Sequence, residues 1–251
     1  MSRRDASVEP RFAAVFYDLD GTLVDSRPGI EASLRAAFAV HAPGVDPPPL
    51  DTLLGRPLAG LLRGVLPDLD RATLAAVAAT FTEHYDAQGW RLSRPYPGVS
   101  EVLVRLAEAS VRQIVVTNKR LRPTAAILAA CGLAPLLEKV YTPDSASPPY
   151  ADKVAMAQAA QARCAIPSDR LLVIGDSVDD LQMADACGAA FAAAAYGYGD
   201  AVAAIASQSA ARRGAAPARV VLRAPAQIVE LVMSGDGPAR AALWALPEQT
   251  T

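Results

Sequence analysis

The segment that most constrains this chain is FAAVFYDLDGTLVDS, residues 12–26. Its first six residues are almost all apolar, which predicts a short buried strand. Asp18 and Asp20 follow directly, and residues two apart in an extended chain project to the same side. Two carboxylates this close repel each other unless a metal ion or a shared proton lies between them. The segment therefore predicts a polar site at the end of a buried strand, with a plain turn at Gly21 as the alternative.

The composition indicates a chain with a sizeable apolar core. Of its 251 residues, 52% are hydrophobic and 20% are charged, which suits one large domain or one domain with a small insert. A net charge of −2 gives no electrostatic reason to expect binding to nucleic acid or to an anionic membrane. No apolar run approaches the ~18 residues of a membrane span, and the N-terminus lacks the apolar stretch of a secretory signal. The odd number of cysteines fits reduced thiols, so we expect a cytoplasmic protein.

Residues 27–90 have helical periodicity and no convincing strand. The apolar residues that recur at helical spacing are Ile30, Leu34, Ala37, Phe38, Leu74, Val77, Ala78, Phe81 and Tyr85. A shorter helix is predicted around residues 58–62. These features predict a small all-α cap domain at 27–90, inserted after the first strand. The core domain would then comprise residues 1–26 and 91–233, followed by a C-terminal tail at 234–251.

From residue 91 onward, apolar strand-like runs alternate with helical segments. The predicted strands are 113–116, 139–142, 171–174, 190–195 and 219–222. The predicted helices are 99–109, 123–131, 151–163, 178–187 and 227–233. Strands that alternate with helices favour parallel pairing, so the predicted core is an α/β, Rossmann-like, doubly wound parallel sheet. Residues 206–217 are typical of a mobile loop before the last strand.

Three polar clusters fall at predicted strand ends. The clusters are Asp18/Asp20, Thr117-Asn118, and Asp176 with Asp179 and Asp180. Because ligands of an open parallel sheet bind beyond the carboxyl ends of its strands, we expect these side chains to meet. Acidic side chains gathered in one crevice are the ligand set of a hard cation, with Mg²⁺ as the default. In such a site one aspartate attacks phosphorus and a second moves protons, while Thr117 and Lys153 bind phosphoryl oxygens.

The same residues resemble the four motifs of the haloacid dehalogenase superfamily. The matching stretches, in order, are DLDGTLVDS at 18–26, VTNK at 116–119, Lys153, and GDSVDD at 175–180. The resemblance covers residues 12–232. It is strongest to the phosphoglycolate-phosphatase branch, whose helical cap lies between the first two motifs. The stretch Tyr196-Gly197-Tyr198-Gly199 is similar to that branch as well.

The resemblance implies a role for each matching residue. Asp18 would be the nucleophile, and Asp20 the general acid and base. The implied substrate-binding residues are Thr117, Asn118 and Lys153. The implied Mg²⁺ ligands are Asp18, the backbone carbonyl of Asp20, Asp176 and, in support, Asp180. The implied activity is Mg²⁺-dependent hydrolysis of a small, phosphoglycolate-like phosphomonoester through an aspartyl phosphate, in a monomer or homodimer.

The residues themselves leave some structural alternatives open. Thr117-Asn118 also suits a helix N-cap, and Lys153 also suits a solvated position on a helix. Helical spacing from the preceding acid favours Asp180 over Asp179 as the residue that supports the metal. Arg56, in the predicted cap, is either a substrate contact or a surface residue.

Two other activities would use the same residues. A phosphomutase forms the same aspartyl phosphate but returns the phosphoryl group to a sugar. A nucleotide or sugar-phosphate phosphatase differs only in the leaving group. A non-catalytic binding protein is disfavoured because Asp18, Asp20, Thr117 and Asp176 are all present. His41 and His84 carry no partner signature, and we interpret both as structural or exposed.

Overall fold

The computed structural model describes residues 9–49, 62–63, 67–209 and 218–234. The strands in these residues are β1 (Ala14–Tyr17), β2 (Val24–Asp25), β3 (Arg94–Pro95), β4 (Arg112–Val116), β5 (Lys139–Tyr141), β6 (Leu171–Gly175), β7 (Ala190–Ala194) and β8 (Arg219–Leu222). The helices in the same residues are α1 (Arg27–His41), α2 (Arg71–Ala87), α3 (Val99–Glu108), α4 (Leu121–Ala130), α5 (Lys153–Cys164), α6 (Val178–Ala186), α7 (Ala201–Ser209) and α8 (Gln227–Met233). None of these helices is both long enough and apolar enough to span a membrane.

Six strands form one parallel sheet in the order β5-β4-β1-β6-β7-β8. β1 lies at the centre, where Tyr17 stands opposite Val115 of β4 and Ile174 of β6. The chain builds outward from β1 to β5 on one side, then returns to β6 and builds outward on the other. The carboxyl ends of β1, β4 and β6 therefore meet at the point where the strand order reverses, which is the ligand-binding edge of such a sheet.

Side chains on the two faces of β1 pack into separate apolar clusters. Val15 and Tyr17 share one cluster with residues of α3, α4 and α8. Ala14 and Phe16 share the other with residues of α5, α6 and α7. Because a parallel sheet buried on both faces needs helices on both sides, β1 is apolar throughout rather than alternating. The predicted doubly wound α/β fold is confirmed.

The described part of the helical insert is built on the packing of α1 against α2. Leu34 and Phe38 of α1 and Leu74 and Val77 of α2 are buried together. Asp70 caps α2, accepting hydrogen bonds from two backbone amides of its first turn. The predicted short helix near residues 58–62 lies mostly outside the described residues. Arg56 lies outside them as well.

Both histidines of the insert link α1 to α2. His84 Nδ1 lies 2.9 Å from Ser33 Oγ, and His41 Nε2 lies 2.8 Å from Thr80 Oγ1. Each bond joins α1 to α2, so the structural interpretation of these side chains agrees with their contacts.

The two connections between core and insert are paired with each other. β2 and β3 form a two-residue antiparallel ribbon in which Val24 is opposite Pro95 and Asp25 is opposite Arg94. The predicted domain limits at residues 26 and 91 fall beside this ribbon. The insert therefore leaves and re-enters the core at one place.

The prediction of a loop at 206–217 is wrong at its start. α7 continues to Ser209, and residues 210–217 lie outside the described part. Ala201 and Ile205, four residues apart, are buried against the sheet. The Ala201 amide also donates to the Asp176 carbonyl at 2.8 Å, which fixes the beginning of the helix. Alanine-rich stretches lack a strong apolar contrast, and so the pattern gave no helical signal.

Candidate active site

Asp18 lies at the carboxyl end of β1, at the centre of the sheet. Its backbone amide donates to the Ile174 carbonyl at 2.9 Å, so the parallel pairing with β6 continues through the residue. The residue is only 6% exposed. Gly21 then turns the chain with a φ of +80°, a left-handed conformation that glycine adopts without strain.

Three buried carboxylates meet at this point. Oxygen atoms of Asp18, Asp176 and Asp180 lie within 4.8 Å of one another. Asp176 follows β6 directly, while Asp180 lies in the first turn of α6. Asp180 Oδ2 accepts hydrogen bonds from the Ser177 amide at 3.0 Å and the Ser177 hydroxyl at 2.6 Å, which fix its rotamer. The bond from the amide is one half of a capping box at the start of α6.

Lys153 bridges two of the three acids. Its Nζ lies 2.6 Å from Asp18 Oδ1 and 2.7 Å from Asp180 Oδ1, and its side chain is 5% exposed. The alternative of a solvated helix lysine is therefore wrong. When all three carboxylates are ionised, the single ammonium leaves an excess of two negative charges, which matches a divalent cation.

Burial and mutual repulsion govern the ionisation of these acids. Burial raises the pKa of Asp18 to about 7, although Lys153 opposes the shift. Burial, then the charges of Asp18 and Asp180, raises the pKa of Asp176 to about 8. Burial disfavours the Lys153 ammonium, but its two carboxylate partners outweigh that effect and raise the pKa of Lys153. Asp18 and Asp176 therefore bind protons more tightly than an exposed aspartate does.

The three acids fit a Mg²⁺ ion by donor type and by shape. All of their donor atoms are carboxylate oxygens, the ligands of a hard cation. The amides of Tyr198 and Gly199 donate to Asp176 Oδ2 at 3.1 and 2.9 Å and orient that carboxylate. A β-carbon built on Gly199 would lie 2.3 Å from the Asp176 carbonyl oxygen, so the loop approaches closely only because it lacks a side chain there.

Asp20 stands apart from the three acids. Its Oδ1 accepts a hydrogen bond from Ser26 Oγ at 2.6 Å, and Lys119 Nζ lies 2.8 Å from Oδ2 and 3.1 Å from Oδ1. The Asp20 side chain is therefore not part of the carboxylate group, and the contribution of its backbone carbonyl to metal binding stays a prediction. Each of the two aspartates assigned to catalysis forms an ion pair with a different lysine, Asp18 with Lys153 and Asp20 with Lys119.

Lys119 is a site residue that the sequence interpretation missed. Its side chain is 9% exposed, and its Nζ also lies 4.5 Å from the centre of the Tyr85 ring in α2. Burial disfavours the charge, but Asp20 outweighs it and raises the pKa of Lys119. A signal was available: Lys119 is two residues beyond Thr117, at the end of a central strand.

Thr117 and Asn118 occupy different environments. Thr117 is buried, and its hydroxyl accepts a hydrogen bond from the Lys119 amide at 3.2 Å. The exposed Asn118 donates to Asp179 Oδ2 at 3.0 Å, so Asp179 faces this amide rather than the three acids. The N-cap alternative for this pair is wrong, because α4 begins later, after Arg120.

A cavity of about 790 Å³ lies between the core and the insert. Its core wall includes Asp18, Asp20, Thr117, Lys119, Lys153 and Asp176. Its insert wall includes Ile30, Leu34, Ala78, Phe81, Thr82 and Tyr85. The charged core wall and the largely apolar insert wall suit a ligand with one anionic end.

The fold, the carboxylate group and the intervening helical insert define the class of protein. The profile of the haloacid dehalogenase-like hydrolases matches residues 15–194. This chain belongs to that family.

Similar proteins narrow the class further. A phosphoglycolate phosphatase of Caulobacter vibrioides is 34% identical over 195 residues, covering 74% of this chain and 80% of that protein. The N-acetylmuramic acid 6-phosphate phosphatase of Pseudomonas aeruginosa is 31% identical over 190 residues, covering 75% and 84%. A haloacid dehalogenase-like hydrolase structure from Streptococcus pneumoniae has the same fold, with a TM-score of 0.74 at 22% identity over 88% of this chain and 98% of that one. The chain is thus an enzyme of the phosphoric monoester hydrolase class.

Proposed function

We propose that this enzyme hydrolyses a small phosphomonoester with Mg²⁺ as cofactor, through an aspartyl phosphate on Asp18. The observation that carries the proposal is the pairing of two separately held acids at the base of one cavity. Asp18 lies against Lys153 and two further carboxylates, and Asp20 lies against Lys119. One acid is placed for attack and the other for proton transfer.

The first half of the reaction transfers the phosphoryl group to the protein. An Asp18 carboxylate oxygen attacks phosphorus, and the bond from phosphorus to the ester oxygen breaks. Asp20 in its protonated form gives its proton to the departing oxygen, which leaves as an alcohol. Lys153 and the Thr117 hydroxyl lie on the same wall and supply donors to the non-bridging oxygens. Mg²⁺, held by Asp18, Asp176, Asp180 and the Asp20 carbonyl, would neutralise charge on those oxygens.

The second half returns the enzyme to its starting state. Asp20, now a carboxylate, takes a proton from a water molecule as that water attacks phosphorus. The bond from phosphorus to the Asp18 oxygen breaks, inorganic phosphate is released, and Asp18 is again a carboxylate. Lys119 and Ser26 contact the oxygens of the Asp20 side chain and fix its orientation for this step.

The substrate is proposed from the similar proteins. Phosphoglycolate is the first candidate, followed by N-acetylmuramic acid 6-phosphate, because proteins named for these activities are 34% and 31% identical to this chain over 195 and 190 aligned residues. Other sugar phosphates and nucleotides are the next candidates. The compartment is proposed to be the cytoplasm, where such metabolites occur, and the partner to be the small phosphorylated metabolite itself.

The test is release of p-nitrophenolate from p-nitrophenyl phosphate by the purified protein. We expect activity with Mg²⁺, loss with EDTA, and loss in Asp18→Asn. Turnover that survives both EDTA and Asp18→Asn would contradict the proposed mechanism. Phosphate release from a panel of phosphorylated metabolites then ranks the substrates. Product analysis with sugar phosphates separates a phosphatase, which releases phosphate, from a phosphomutase, which returns an isomer.

A further inference from the structure

Two adjacent core residues contact two adjacent residues of the helical insert. Lys119 Nζ lies 4.5 Å from the centre of the Tyr85 ring. Its neighbour Arg120 forms a two-pronged ion pair with Asp86, at 2.8 Å and 2.5 Å. Both contacts join the segment after β4 to the last turns of α2. This double contact links the insert directly to the segment after β4, and Lys119 in that segment also contacts Asp20.

Lys119 is buried to a degree that needs an explanation. A lysine seldom gives up its hydration unless a carboxylate compensates the charge. Asp20 provides that compensation from 99 residues away in sequence, at 2.8 and 3.1 Å. The Tyr85 ring covers the ammonium from the insert side, which excludes water and adds a cation–π attraction.

We propose that Lys119 is a positioning residue that orients Asp20 for proton transfer only while the insert covers the site. The inference rests on the proposed function, since it assigns Lys119 a role through Asp20. With Tyr85 in place, Lys119 stays beside Asp20, and one oxygen of the Asp20 carboxyl group can accept from the ammonium while the other carries the proton that is donated. With Tyr85 displaced, water surrounds the ammonium, the attraction weakens, and the carboxylate gains rotational freedom.

The second side chain that contacts Asp20 also lies beside the insert. Ser26, which donates to Asp20 Oδ1, directly precedes α1 and follows the ribbon strand β2. Both groups that hold Asp20 therefore lie next to the insert or its connection. Proton transfer is thereby restricted to the covered state, in which bulk water does not compete for the leaving group.

The test compares two substrates that differ in their need for a proton. p-Nitrophenolate leaves without one, whereas the alkoxide of glycerol 2-phosphate requires protonation as the bond breaks. Since kcat/KM reports steps through the first phosphoryl transfer, Lys119→Met should lower kcat/KM for glycerol 2-phosphate at least about tenfold more than for p-nitrophenyl phosphate. Lys119→Arg, which keeps the charge, should recover part of the difference.

The matched control is Lys139→Met, the same substitution at an exposed lysine of β5. It should leave the kcat/KM values for both substrates near those of the unmodified enzyme. Equal losses of kcat/KM on both substrates in Lys119→Met, or no loss, would overturn the proposal. Absence of Mg²⁺-dependent turnover in the unmodified enzyme would instead contradict the proposed function, so the two failures are distinguishable.

A second variant keeps the lysine and removes its cover. Tyr85→Leu should produce the same selective loss on glycerol 2-phosphate, smaller in size. The double variant with Lys119→Met should be no more selective than Lys119→Met alone, because both changes act on one interaction. Selectivity losses that multiply, or a Tyr85→Leu enzyme with unchanged selectivity, would show that cover and orientation are independent.

Discussion

Gly21 lies directly against Asp176: a β-carbon built on Gly21 would stand 1.9 Å from Asp176 Oδ2. The two residues belong to different motifs and come together because β1 and β6 are neighbours. Gly21 thus serves two needs, a positive φ and the absence of a side chain beside a proposed metal ligand.

Comparison of alanine substitutions at two glycines, Gly21 and Gly132, separates these two needs. Gly21→Ala should displace the Asp176 carboxylate and reduce Mg²⁺ affinity and kcat at least about tenfold, since the ligand geometry is lost. Gly132→Ala is the control, because Gly132 also has a positive φ, +70°, but nothing lies within 4 Å of its added β-carbon. That variant should lose only about 1–2 kcal/mol of stability and keep its Mg²⁺ affinity. Calorimetric Mg²⁺ titration of both variants measures the difference, and equal affinities would contradict the prediction.

Adjacent aspartates in α6 should respond differently to the same change. Asp180→Asn places an amide that donates hydrogen bonds beside the Lys153 ammonium, and it removes one of three clustered carboxylates. We expect a loss of about 100-fold in kcat/KM. Asp179→Asn keeps an oxygen that accepts from Asn118 and should stay within a few-fold of the unmodified enzyme. Steady-state kinetics decides, and a larger loss in Asp179→Asn would reverse the assignment of the supporting acid.

Stabilisation by Mg²⁺ should increase with pH. In the metal-free fold the pKa of Asp18 is about 7 and that of Asp176 about 8, whereas an unfolded aspartate has a pKa of about 3.9. Because the folded pKa values are raised, the metal-free protein loses stability as pH rises from about 4 through 8. Mg²⁺ binds the ionised carboxylates, so its affinity should weaken more than about tenfold from pH 8 to pH 6.

Thermal melts with and without Mg²⁺ across that pH range measure the effect. The gain in Tm on adding Mg²⁺ should be small at pH 6 and large at pH 8.5. In Asp18→Asn the metal-free protein should lose less stability with rising pH, since one of the two titrating acids is gone. A gain in Tm that does not change with pH would exclude proton competition at these carboxylates.

The ion pair between Arg120 and Asp86 should help to hold the insert over the cavity. Asp86→Asn removes the charge, and an exposed pair of this kind contributes at most about 1 kcal/mol. We therefore expect KM to rise by up to about fivefold with a smaller change in kcat. The control is Glu138→Gln, which breaks the two-pronged pair between Arg112 and Glu138 within the core, where the carboxylate is 37% exposed compared with 13% for Asp86. Equal KM values in the two variants would deny the pair any role in closure.

The residues at strand ends could be predicted because their signals are local. The strands before Asp18, Thr117 and Asp176 contain the short apolar runs AVFY, IVV and LLVI, and a polar side chain follows each run within two residues. Once parallel pairing is inferred, the geometry of the sheet brings those ends together. Helical spacing was enough to favour Asp180 over Asp179, and only Asp180 joins the group of three carboxylates.

The missed features depend on contacts distant in sequence. Lys119 is buried because Asp20 and Tyr85 approach it from two other segments, and neither partner is visible from its neighbours in the chain. β2 and β3 comprise two residues each, too short for a periodic pattern. Alternation of apolar residues reports local burial, whereas pairing of charges requires the assembled fold.

The ribbon of β2 and β3 gives the insert a single point of attachment. Because Asp25 and Arg94 are opposite each other, the distance that the insert must bridge is the width of one strand pair, whatever the length of the insert. Segments of different size and sequence could therefore be exchanged at this position without moving the acids on the sheet. Substrate preference and phosphoryl chemistry are thus physically separable in this architecture, and each is free to change at its own rate over evolution.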